Sequence, residues 1–173
     1  MNYFYVKGIT LFELISTLSI VSILSMFAIP HFHNMLEQQE RQKVIFIIKQ
    51  SFQYAKTEAL LNRRRIVICA SIDGKQCNDD QWSSGFIIFS DQNTDNQVNT
   101  DETIYVHQVL DLKYGELKWQ GALSRKNVFF NAQQGLPNGS NGSFYYCSTR
   151  VSEHQRIVLS RMGHSRHETS NNC

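Results

Sequence analysis

Proline is nearly missing from this chain of 173 residues, standing only at Pro30 and Pro137. A surplus of one charge is missing as well. With 17 Lys and Arg against 15 Asp and Glu the net charge is +2, so no global field points to nucleic acid and any such signal must be local. No Gly-rich phosphate loop, nucleophile elbow or paired-acid constellation is present, which removes the common signatures of an enzyme. The four cysteines, Cys69, Cys77, Cys147 and Cys173, and the histidines do not fall into a zinc-ligand spacing. At 42% apolar residues the chain still has enough material for one globular domain plus an anchor.

The largest gap is in charge along the chain. Between Ile9 and Ile29 the sequence carries only Glu13 among Leu, Ile, Val, Phe and small hydroxyl residues. About 20 helical residues at ~1.5 Å each cover the hydrocarbon core of a bilayer. The Ser and Thr residues fit, because their hydroxyls bond back to helix carbonyls. An acid in such a helix is costly without a partner and reads as functional by default. A cleaved secretory signal has a shorter apolar run followed by an A-x-A-like site, and neither holds here.

Lys7-Gly8-Ile9-Thr10-Leu11-Phe12-Glu13-Leu14 resembles the class III signal of type IV pilins and pseudopilins. The resemblance implies a cut after Gly8 by the prepilin peptidase and methylation of the new amine at Ile9. It also implies that Glu13 pairs with the mature amino terminus of a neighbouring subunit, fixing the axial step between packed helices and offsetting part of the cost of burying each charge. The usual first mature residue is Phe, and Ile9 departs from that pattern. The plainer reading is a signal-anchor helix with Glu13 near the membrane surface.

Beyond Pro30, which should kink the helix or mark its exit from the membrane, the stretch 34–43 is polar all round and reads as a solvated helix. Ile45, Ile48, Phe52, Ala55 and Ala59 then recur at steps of three and four, one apolar stripe of a helix. Arg63-Arg64-Arg65 ends it, facing the negative end of the helix dipole; a nucleic-acid patch is the sharper alternative. One helix over residues 9–62 is expected. β-Rich runs follow at 66–69, 85–90, 103–110, 127–130, 144–148 and 156–160, bounded by turn residues. The expected division is a leader at 1–8, a membrane and assembly helix at 9–29, an amphipathic half-helix at 30–65 and a β-rich head with a C-terminal tail at 66–173. The expected fold class is α+β, a β-rich head on a single long helix; the resemblance to pilins, and to the GspH/FimT branch described below, implies a pilin fold whose head is β-sandwich-like.

Asp73-Gly74 signals a turn that draws Cys69 and Cys77 together as a disulfide closing a short loop. The twelve residues 91–102 copy the ligand spacing of a calcium loop, with Asp91, Asn93, Asp95 and Glu102 as candidate ligands. Asn96 stands where that loop requires Gly, and a solvated hairpin loop explains the segment equally well. No other cofactor is expected.

The segment 55–59, the Cys69–Cys77 spacing, Trp82-x-x-Gly85-Phe86-Ile87-Ile88-Phe89, Val128-Phe129-Phe130 with Gly135, Phe144-x-x-Cys147 and Arg156-Ile157-Val158-Leu159-Ser160-x-x-Gly163 together resemble the GspH/FimT branch of minor pilins and pseudopilins. That implies assembly with other pilins through helix bundling, a single pass through the bacterial inner membrane and a periplasmic head that becomes extracellular in a pilus. FimT-type members resemble DNA receptors carrying a Gly-Arg-x-Arg motif. This chain has Gly163-His164-Ser165-Arg166, flanked by Arg161 and His167. His164 replaces one fixed charge with a group largely neutral above pH ~6.5, so the implied contact with DNA is weak, sequence-independent and salt-sensitive. Cys147 and Cys173 remain; if they join, the segment 163–172 becomes a closed, displayed loop. The leading expectation is a type IV pilus minor pilin, with DNA uptake in natural transformation as an added role. A purely structural pseudopilin of type II secretion is the alternative.

Overall fold

A computed structural model describes residues 10–149 and 153–173. The chain separates into two compact units, residues 1–38 and 39–173, with the boundary inside helix α1 (Leu11–Asn62).

In the first unit the described residues are almost wholly the apolar part of α1. It is the one described helix long and apolar enough to cross a membrane, with a mean hydropathy of 2.0. Its hydroxyl side chains donate to their own helix, Ser19 to the Ile15 carbonyl at 2.8 Å and Ser25 to that of Val21 at 2.7 Å. Each such bond satisfies a polar group that lipid would otherwise leave bare. The helix continues through position 30 without a break.

In the second unit the remainder of α1 packs on two antiparallel four-stranded sheets. The strands are β1 (Ile66–Ala70), β2 (Gly85–Ser90), β3 (Ile104–Val109), β4 (Gly115–Gly121), β5 (Val128–Phe130), β6 (Gly142–Ser148), β7 (His154–Leu159) and β8 (Ser165–Ser170). One sheet runs β3-β2-β1-β5 and the other β4-β6-β7-β8. The buried stripe of α1 is Val44, Ile48, Phe52, Ala55 and Ala59. Val44 therefore leads it, and Ile45 lies only at its flank. Phe52 meets both sheets, with ring centroids 6.3 Å from Phe130 and 6.0 Å from Phe144. Trp82 stands edge-on to Phe144 at 4.7 Å, and Trp119 packs on the same ring at 4.6 Å.

Strands β1 and β2 are buried on both faces, which explains their unbroken apolar reading. Ile66, Ile68, Phe86 and Ile88 face α1. Val67, Cys69, Ile87 and Phe89 form a second, smaller core on the far side of the sheet, closed over by Cys77, Val98, Ile104 and Phe129.

Three sequence expectations are corrected here. The polar stretch 34–43 is not solvated all round. Glu40 accepts hydrogen bonds from the N–H groups of Lys113 and Tyr114 at 2.9 and 3.0 Å and from the Tyr146 hydroxyl at 2.9 Å, so a carboxylate clasps α1 to the β4–β6 side. The segment 163–172 is not a displayed loop; most of it is β8, paired along β7 from His154↔Ser170 to Leu159↔Ser165. The arginine run follows the end of the helix as expected, but its three residues do not face the helix dipole as one group. α1 ends at Asn62 with no base in that turn, Arg63 takes a left-handed φ of 50°, and Arg65 turns away to Asp91.

Candidate functional site

Gly8 and Ile9 lie outside the described residues. Just after them, Thr10 and Glu13 form a capping box. Glu13 Oε2 accepts from the Thr10 N–H at 2.9 Å and its hydroxyl at 3.0 Å, while the Glu13 N–H donates to Thr10 Oγ1 at 3.2 Å. The acid that the sequence marks for a neighbouring amine thus already closes the start of its own helix. The signal was readable as Thr10-x-x-Glu13 ahead of an apolar run. Leu11 and Phe12 beside it are about three-quarters exposed, at 74% and 79%.

The cysteines pair as Cys69–Cys77 and Cys147–Cys173, with Cα atoms 5.5 and 5.8 Å apart. The second bond ties Cys173, three residues beyond the end of β8, to β6 in the middle of the same sheet.

The loop 91–102 is organised by a cation of its own. Arg65 donates to Asp91 Oδ2 and to Asn96 Oδ1, each at 2.6 Å, and its guanidinium lies 4.1 Å from the Phe129 ring centroid. Asp91 also accepts from the N–H groups of Thr94 and Asn96. Asn96 adopts the left-handed φ of 62° that its place in the loop requires. Asp95 is taken up by Asn93, Gln97 and Asn99, and Glu102 by the N–H groups of Gln92 and Asn99. Asn93 is spent within the same loop, and among the described residues no group of three or more His, Cys, Asp or Glu gathers around a metal position. Burial pushes the Asp91 carboxyl up, against the pull of Arg65 and two backbone N–H groups. The same burial pushes the Arg65 guanidinium down, with Asp91 opposing it.

The basic residues near the C-terminus are divided by β8 between opposite faces of its sheet. Arg166 points to the outer face with Glu168, 3.6 Å away, and Glu168 is also held by Arg156 at 3.2 Å. One register row on that face reads Lys118, Tyr145, Arg156, Glu168. His167 points the other way, towards α1, where the Lys49 ammonium donates to its Nδ1 at 3.1 Å. Arg161 and His164 sit in the turn between β7 and β8, shaped by Gly163 at φ 74° and by the Ser160 N–H donating to the His164 carbonyl at 2.9 Å. Lys56 of α1 approaches this turn, its Nζ 3.7 Å from where a side chain on residue 163 would begin. Lys49 and Lys56 are thus basic neighbours of the C-terminal hairpin that the sequence analysis does not single out. Their spacing of seven, two helical turns, was the available signal.

The family profile described as Type II transport protein GspH matches residues 48–163. The solved structure of the type IV minor pilin FimU of Pseudomonas aeruginosa is similar at a TM-score of 0.51 and 20% identity, covering 78% of this chain and 92% of that one. The minor pseudopilin EpsH from the type 2 secretion system of Vibrio cholerae is similar at a TM-score of 0.50 and 12% identity, covering 75% and 97%. The comparison with curated proteins gives no match.

Proposed function

The chain belongs to the GspH family of type II transport proteins, and from that premise we propose that it is a minor subunit of a type IV pilus, trimmed after Gly8 and methylated at Ile9. At the coarser level it is a minor pilin or pseudopilin, a structural subunit that assembles with other pilins. The observation carrying the proposal is the exposed apolar surface of α1 ahead of residue 30, from Leu11 to Ile29. Burying such a surface takes a bilayer while the subunit is single and neighbouring helices once it is assembled. The head then lies in the periplasm, where the two disulfides persist.

Purified protein from cell envelopes, measured by intact mass and N-terminal sequencing, is expected to begin at a methylated Ile9. A start at Met1, or one beyond Ile29, sinks the proposal. Release into sheared filaments supports the pilus, whereas retention with a secretion assembly supports the pseudopilin reading.

A second role, contact with DNA, is favoured by the turn at Gly163. The Lys56 ammonium approaches this turn, which carries Arg161 and His164, and Arg161 makes no ion pair among the described residues. Arg166 contributes less, because Glu168 shares its charge. His167 is drawn towards α1. A handful of phosphate contacts of this kind gives weak binding that salt abolishes.

A further inference from the structure

The β7–β8 turn is one of three segments that meet around a cavity of about 360 Å³ lined by Ala122, Leu123, Asn138, Gly139, Asn141 and Arg161. Its wall is unusual in conformation. Leu123 and Ser124 stand at φ 58° and 55°, left-handed values that a β-carbon disfavours and that a leucine rarely takes. Leu123 is also 85% exposed, the most exposed large apolar side chain among the described residues. The surrounding bonds impose this geometry. The Ala122 N–H donates to the Asn141 carbonyl at 2.8 Å, the Arg125 N–H to the Ala122 carbonyl at 3.3 Å, and Trp119 Nε1 to the Arg125 carbonyl at 3.0 Å. A strained residue held in this way, presenting an apolar side chain to solvent, is preorganised for something that covers it.

The rest of the lining narrows the ligand. Arg161 is a fixed planar cation without an ion-pair partner among the described residues, suited to a phosphate. The side-chain amides of Asn138 and Asn141 make no hydrogen bond among the described residues, and an amide can both donate to and accept from a base edge. Leu123 supplies an exposed aliphatic contact against which a base face can pack. Together these are a phosphate contact, an edge reader and an apolar contact around one cavity of small-molecule size.

We infer that the cavity takes an unstacked nucleobase with the adjoining phosphate on Arg161, so that the chain prefers single-stranded to double-stranded DNA. This rests on the DNA-contact reading and adds to it the form of the substrate. A duplex can fill the cavity only by unpairing and extruding a base, a cost that a single strand does not carry.

The test uses the full chain in detergent micelles and fluorescence anisotropy with a labelled single strand of about 20 nucleotides and its duplex. The single strand is expected to bind about tenfold tighter or more. Leu123→Gly, which suits the left-handed backbone, should lower single-strand affinity about fivefold, leave duplex binding alone and leave the melting temperature unchanged or raised. Equal affinity for the two forms, or a preference that survives Leu123→Gly, overturns the assignment. In the first of those cases, binding that disappears in Arg161→Ala/Arg166→Ala leaves DNA contact standing without the base cavity. No binding of either form at low salt removes the DNA reading itself.

Discussion

Arg65 occupies the centre of the 91–102 loop, where the oxygen spacing of the sequence suggests a divalent ion. Its two short bonds, to Asp91 and Asn96, gather the ends of the loop's first half. Asp91 has a fully buried side chain, so removing Arg65 leaves an uncompensated carboxylate in a dry place. Arg65→Ala is expected to lower the unfolding free energy by about 3 kcal/mol, read from urea midpoints at pH 7. The pH dependence has a definite sign. A carboxyl whose folded pKa is raised binds its proton more readily folded than unfolded, so stability falls as pH rises from the ordinary aspartate value to the raised one. Taking away Arg65 widens that window upwards. The deficit of the variant should therefore shrink as pH is lowered through it, and a deficit constant with pH would refute the account. None of this was legible beforehand, because oxygen spacing along a loop does not say which cation the fold will deliver. The left-handed tolerance of Asn96 was legible, and so was the Thr10-x-x-Glu13 cap.

At the scale of elements, legibility followed burial. β1 and β2 were plain because both of their faces are covered, giving continuous apolar runs. β4 was missed although it alternates, with Leu117 and Trp119 inward and Lys118 and Gln120 outward; its short apolar count hid a period of two. β8 had no apolar residue to show. It is an edge strand whose place comes from the β7 ladder and from the disulfide behind it, neither of which is a local property of Ser-Arg-His-Glu-Thr-Ser. The Glu40 clasp was hidden for the same reason, since its three donors lie more than 70 residues further along. The Cys147–Cys173 bond spans 26 residues, and removing it as Cys147→Ala/Cys173→Ala should cost about 3 kcal/mol. Hydrogen exchange should then show amides 165–170 opening before those of β6. Simultaneous opening of the two strands would mean that the ladder alone holds β8.

At the scale of the whole molecule, a single helix followed by a β-rich head was legible from the helix and strand pattern, the pilin fold came with the resemblance, and the likeness to solved structures agrees with it. The assembly role remains to be separated from the helix cap, and Glu13→Gln does so. Glutamine also closes a capping box, so membrane level and leader removal should stay as in wild type. On the proposed pilin reading, in which Glu13 pairs with the amino terminus of a neighbouring subunit, that charge is lost, and incorporation into filaments should fall about tenfold or more, read by immunoblot of sheared filaments against envelopes. Normal incorporation would mean that the acid serves only its own helix.

The chain has two tryptophans, and their rings lie 6.5 Å apart, each against Phe144. Tryptophan fluorescence, excited where the seven tyrosines do not absorb, will therefore report one seam, where helix and sheets meet, and stay blind to fraying at the β7–β8 turn. A melting curve followed by that emission will overstate the cooperativity of the whole. A label on the C-terminal hairpin would be needed to see its edge loosen first.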